Sequence, residues 1–123
     1  MDERDFTMQN EMRRAFGMLS GKWKLEIMWL LHQRIYRFGE LRKGIPGITQ
    51  HMLTAQLREL EADGLISRTV FAEVPPRVEY AITPKARALG PMMEALTAWW
   101  SEHGSSVPQK RSDSSGRKAS ERG

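Results

Sequence analysis

The chain has 123 residues, 40% hydrophobic and 28% charged, enough for one compact core and short of a comfortable second domain. Nineteen Lys and Arg against 15 Asp and Glu give a formal charge of +4, which favours a polyanionic partner without locating where it would bind. There is no cysteine, so disulfides, thiolate metal sites, cysteine nucleophiles and thiol redox switching are excluded. The longest nearly apolar stretch, Ile27 to Leu31, is far below the roughly 20 residues that cross a bilayer. The start, Met1 to Asp5, has no basic segment leading into an apolar one. A cytoplasmic protein with no membrane partner is expected.

In chain order, apolar spacing of three and four predicts a first helix over about 8–19, with Met8, Met12, Ala15, Phe16 and Leu19 on one stripe. Ser20 and Gly21 interrupt it. A second helix over about 22–35 is apolar nearly all round, from Trp23 to Leu31, which predicts packing on several sides. Phe38 to Lys43 can make two helical turns before Gly44, Ile45, Pro46 and Gly47 force a break. Thr49 is a good cap type and Gly64 a natural left-handed stop, so a helix is expected between them. On it Leu53, Leu57 and Leu60 face the core, while His51, Thr54, Ala55 and Arg58 face away.

The pattern then becomes extended, with a strand predicted from Ile66 to Val74 and another through Val78, Tyr80 and Ile82. Pro75 and Pro76 must lie in the connection because neither can donate to a ladder. Thr83 and Pro84 open a last long helix to about His103, kinked at Gly90 and Pro91. The organisation expected is a flexible N-terminus over 1–7, one domain over 8–104 and a basic, Ser-rich disordered tail over 105–123. Lys110, Arg111, Arg117, Lys118 and Arg122 against Asp113 and Glu121 give that tail +3 of the total charge and leave the rest at +1.

Enzyme chemistry is not expected. His32, His51 and His103 are far apart and form no metal-ligand pair, and no cofactor is implied. Gly17 to Trp23 resembles a phosphate loop only superficially, with one intervening residue too few and Trp23 where Ser or Thr should stand. The order helix, helix, short helix, turn, helix, hairpin, helix is that of a winged helix-turn-helix, α+β and mainly helical, with a two-stranded wing and a long C-terminal helix.

In that arrangement the helix after the turn reads double-stranded DNA. Its candidate contacts are Thr49, Gln50, His51, Thr54 and Arg58. Gln suits adenine, Thr a thymine methyl, and Arg guanine or phosphate. Residues 49–58 contain no Asp or Glu, so the N-terminal amides can also hold a phosphate. Arg77 beside the Pro75-Pro76 tip is the expected wing contact. The plain alternatives are that Gln50, His51 and Thr54 are a wet helix face, that Arg58 pairs with Glu61, and that Arg77 is an ordinary turn residue.

The segments GKWKLEIMWLL at 21–31, FGELRKGIPGITQHMLTAQLRELEADGLISR at 38–68 and VPPRVEYAIT at 74–83 resemble the HxlR-type family of bacterial transcriptional regulators, over about residues 10–103. The resemblance implies a homodimer on a pseudo-palindromic operator, its interface built from the first and last helices. Family members often carry a cysteine shortly before the Gly-Lys-Trp segment and some sense oxidants with it. Here Asn10 stands at about that place, so thiol sensing does not carry over. The residues themselves support dimerisation: Met8, Met12 and Phe16 on the first helix and Met92, Leu96, Trp99 and Trp100 on the last offer more apolar surface than one small domain covers. The expectation is a sequence-specific regulator acting as a repressor by occlusion. Its rivals are a winged-helix module that docks on protein, and a DNA-binding sensor holding a small-molecule effector against the last helix.

Overall fold

Ile27, Met28 and Leu31 on one side of α2 (Lys24–Gln33) are sealed from solvent, as are Leu53 and Leu60 of α4 (Gln50–Ala62). Each such side chain contributes roughly 1.5–3 kcal/mol by leaving water, and together they explain why the two helices hold the centre of the core. The computed structural model describes residues 3–106. The chain divides into two compact units, Met1–Gly90 and Pro91–Gly123.

In the first unit, α1 (Glu3–Leu19) precedes α2. It begins five residues earlier than its apolar stripe, so residues 3–7, expected to be flexible, are helical. Once nucleated, a helix extends at the gain of one hydrogen bond per residue whether or not the added residues are apolar. After α2 come β1 (Tyr36–Arg37), α3 (Phe38–Gly44) and the turn into α4. Gly47 takes φ of 90° there, which a residue with a Cβ adopts only under strain.

Both ends of α4 are held as the sequence predicts. Thr49 Oγ1 accepts from the Met52 amide at 3.0 Å. At the other end Gly64 lies at φ 75°, with its amide donating to Glu61 and that of Leu65 to Leu60, the Schellman pattern. Leu53, Leu57 and Leu60 are buried, as their spacing requires.

The wing strands β2 (Ile66–Phe71) and β3 (Arg77–Ile82) pair antiparallel, from Ile66 opposite Ile82 to Phe71 opposite Arg77. The first strand stops at Phe71, short of the expected Val74, and Pro75 and Pro76 lie in the connection. The wing was expected to have two strands, but β1 pairs with the free edge of β3 and gives a three-stranded sheet in the order β1-β3-β2. Two residues suffice because β3 otherwise presents unpaired amides and carbonyls on that side. Ile66, Tyr80 and Ile82 form the buried face, and Ser67, Thr69, Phe71, Arg77 and Glu79 stand on the other.

Thr83 joins the end of the wing to the end of α4. Its hydroxyl donates to the Gly64 carbonyl at 2.8 Å, its amide donates to Leu65, and its oxygen caps α5 (Pro84–Arg87). The expected single kinked helix is two helices, α5 and α6 (Gly90–His103). Proline at 91 withholds a donor from the Arg87 carbonyl, and the chain tightens to an Ala86-to-Leu89 bond before restarting. The ring of His32 faces that carbonyl, Nε2 at 3.4 Å, which accounts for this histidine structurally.

In the second unit the rest of α6 leads to a 3-10 turn, Gly104–Ser106. Trp99 packs near Trp100 and His103. A Cβ on Gly104 would lie 2.6 Å from the Trp100 ring, so this tryptophan rests on a residue that must lack a side chain. The expected tail falls outside the described residues from 107 onward.

Candidate nucleic-acid interface

α4 and its N-cap carry the residues singled out from the sequence. Thr49, Gln50, His51 and Arg58 are exposed and Thr54 is half-buried. The acidic residues that follow are occupied. Glu59 reaches Lys24 Nζ at 2.6 Å, and Glu61 accepts from Arg68 Nε at 3.2 Å. Glu61 therefore turns to the sheet instead of to Arg58. Among the described residues Arg58 has no carboxylate partner, and its guanidinium is available to an outside acceptor. Lys24 is itself buried, and its pairing with the exposed Glu59 links the start of α2 to α4.

Arg77 stands differently. Its two terminal nitrogens bond Glu79 at 2.8 Å and Glu73 at 2.9 Å. The guanidinium lies 3.9 Å from the centre of the Phe71 ring, its cross-strand partner, and Nε is buried without a partner. The wing cation expected from the sequence is thus neutralised twice and stacked, on the sheet face opposite the one that packs into the core. The tip itself, Glu73 to Pro76, is exposed and carries no basic residue.

Sequence reasoning passed over Arg42 and Lys43. Both are exposed in the last turn of α3, immediately before the turn that delivers α4, and neither has an acidic partner among the described residues. The signal was present as a basic pair ahead of Gly-Ile-Pro-Gly. At the other end of α3 the Arg37 amide donates to Glu40 Oε1 at 2.9 Å. That bond, reinforced by Arg34, holds the Glu40 carboxyl below its ordinary range.

Where α4 meets the sheet there is a half-open cavity of about 320 Å³, walled by Phe38, Thr54, Leu57, Arg58, Arg68 and Tyr80 with Glu61 at its side. Arg68 and Tyr80 are register partners on β2 and β3 and point the same way. Burial pushes the Tyr80 phenol up, against the opposing pull of Arg68.

The apolar stripes expected at an interface between copies are uncovered. On α1, Met8 and Phe16 are each 65% exposed. On α6, Met92, Leu96, Trp99 and Trp100 are exposed in the same way. Trp29 of α2 is also partly open, although the all-round apolar pattern predicted its burial. No helix among the described residues is long and apolar enough to cross a membrane.

Residues 18–108 match the HxlR-like helix-turn-helix family. An HTH-type transcriptional regulator of Methanothermobacter thermautotrophicus is 47% identical over 91 residues, covering 74% of this chain and 70% of that protein. Among solved structures, a MarR-family regulator from Porphyromonas gingivalis W83 superposes with a TM-score of 0.71 at 38% identity, over 74% of this chain and 89% of the other. The reduced form of the redox regulator HypR does so with 0.72 at 40% identity, over 76% and 92%. With a helix-turn-helix whose reading face is free of unpaired acid, a wing behind it and this match over most of its length, the chain belongs to the HxlR-like helix-turn-helix family of DNA-binding transcriptional regulators.

Proposed function

We propose that the protein is a homodimeric repressor that occludes a pseudo-palindromic operator. The observation that carries the DNA contact is the electrostatic state of α4: among the described residues Arg58 has no acidic partner, while Glu59 and Glu61 are each spent on a cation of the same chain. Gln50 and His51 in the first turn, then Thr54 and Arg58, address base edges in the major groove, and Thr49 with the first amides holds a phosphate. Arg42 and Lys43 supply backbone contacts beside the reading helix. Arg77 shapes the wing and is not its free cation. The tail over 105–123 adds a sequence-independent attraction to phosphate.

Dimerisation is supported by the uncovered stripes on α1 and on α6, since contiguous exposed apolar surface of this kind marks interaction sites. Two-fold symmetry then sets the two reading helices about 34 Å apart, on successive turns of an inverted repeat. With no cysteine in the sequence, any redox response of this chain would run through other residues.

The test is a titration of the purified protein against the intergenic DNA beside its own gene and against unrelated DNA, across salt, followed by footprinting. The expected result is a preference for the intergenic fragment of about a thousandfold or more, protecting an inverted repeat. Equal affinity for both fragments would defeat the sequence-specific reading, and a monomer by light scattering at operator-binding concentrations would defeat the dimer.

A further inference from the structure

The segment between α1 and α2 is seated on α4. A Cβ on Gly21 would lie 3.2 Å from Gln56 Oε1, and one on Gly47 would lie 3.8 Å from the rim of the Trp23 ring at Cη2. Lys24 meets Glu59 at 2.6 Å. Gly21, Trp23 and Lys24 therefore each approach α4 or the turn that delivers it, and Lys22 stands among them, exposed. Its Nζ sits 4.8 Å from the centre of the Trp23 ring. Among the described residues Lys22 makes no ion pair, not even with Glu26 in the first turn of α2. An aromatic ring attracts an ammonium by about 0.5–1 kcal/mol at an exposed site without cancelling its charge. Lys22 is thus held in place and left charged, the opposite of Arg77.

We propose that Lys22 binds a DNA phosphate on the flank of α4 that faces away from the wing, a contact that rests on the DNA reading above. At helical spacing Leu57 and Glu61 lie on the flank that meets the sheet, Gln56 and Glu59 on the opposite one, and His51 and Arg58 between them. A helix about 10–12 Å across fills a major groove about 12 Å wide. With His51 and Arg58 turned to the bases, each flank of α4 therefore comes up against the backbone of one strand. The wing stands on one side. On the other, Gln56 and Glu59 offer no cation and Lys24 is buried against Glu59, so the charge available to that backbone is Lys22. Contacts on both flanks fix the roll of the helix in the groove, which phosphate contacts do without reading sequence themselves.

The test measures binding of the full-length protein to the intergenic fragment and to unrelated DNA over a range of salt. Lys22→Gln should flatten the slope of log affinity on log salt by about 0.9 on both DNAs, and Lys22→Arg, which keeps the charge, should retain the wild-type slope. A phosphate contact is separated from a structural role by methylphosphonates placed one at a time in the footprinted site. One such substitution in each half-site should weaken wild-type binding about three- to fivefold and leave the affinity of Lys22→Gln unmoved. Penalties identical in the two proteins at every position would overturn the contact, even where Lys22→Gln binds less tightly overall. A wild type that binds while the Lys22→Gln slope is unaltered removes Lys22 alone. A wild type that binds neither DNA defeats the DNA reading, and this contact with it.

Discussion

Arg58 and Arg77 are the same residue type, both expected to meet DNA, and the two regions that carry them treat them oppositely. On α4 the nearby glutamates are drawn off by Lys24 and Arg68, which leaves Arg58 without an acidic partner among the described residues. In the wing, Glu73 and Glu79 converge on Arg77 and the Phe71 ring lies beneath it. Whether an arginine is a contact or a staple is thus decided by which carboxylates the fold leaves within reach.

The contrast is sharpest in two substitutions. Arg58→Ala should weaken operator binding by about 1–3 kcal/mol, the worth of a good base contact, with the unfolding midpoint unchanged. An unaltered operator affinity in the folded variant would remove Arg58 from the interface. Arg77→Ala should do the reverse, costing about 1–2 kcal/mol in urea unfolding because two partly shielded carboxylates lose their cation. It should leave the salt dependence of binding intact. A shallower slope of log affinity on log salt would show that DNA displaces the two glutamates and would erase the distinction.

Thr49→Ala probes the reading helix from its end. Loss of the cap to Met52 should cost about 1 kcal/mol in thermal unfolding. Arg42→Ala and Lys43→Ala address the backbone contacts assigned in place of Arg77. Each should flatten the salt slope by about 0.9 for specific and unrelated DNA alike, as seen in titrations over salt, and an unchanged slope would exclude that side chain.

The smallest effect concerns Glu40, whose carboxyl is held low by the Arg37 amide and then by Arg34. A depressed folded-state value means that its contribution is complete above the unfolded carboxylate range and disappears as pH falls through the folded one. The stability difference between wild type and Glu40→Gln should therefore shrink on acidification. A difference constant with pH would mean that the charge is not what matters there.

Much of the fold was legible because it is local. Leu53, Leu57 and Leu60 repeat at helical spacing, Thr49 reaches an amide only three residues away, and Gly64 meets a left-handed backbone. The strand pairing was legible too, since Pro75 and Pro76 leave only one place for the connection. The third strand was not. Tyr36 and Arg37 carry no pattern of their own and become a strand only because β3 offers an open edge. The break between α5 and α6 was read as a kink, for the missing donor at Pro91 was visible while the tightened bond from Leu89 to Ala86 was not.

By itself the sequence determined the winged helix-turn-helix and which face of α4 is wet, since both follow from periodicity, caps and breakers that act within a few residues. It also determined that the basic excess lies mostly in the last 19 residues. Only the tertiary structure decided how the charges are shared. Glu59 meets Lys24 across 35 positions and Glu61 meets Arg68 across the Schellman turn. Such pairs depend on where folded elements place side chains, and a linear string holds no measure of that distance.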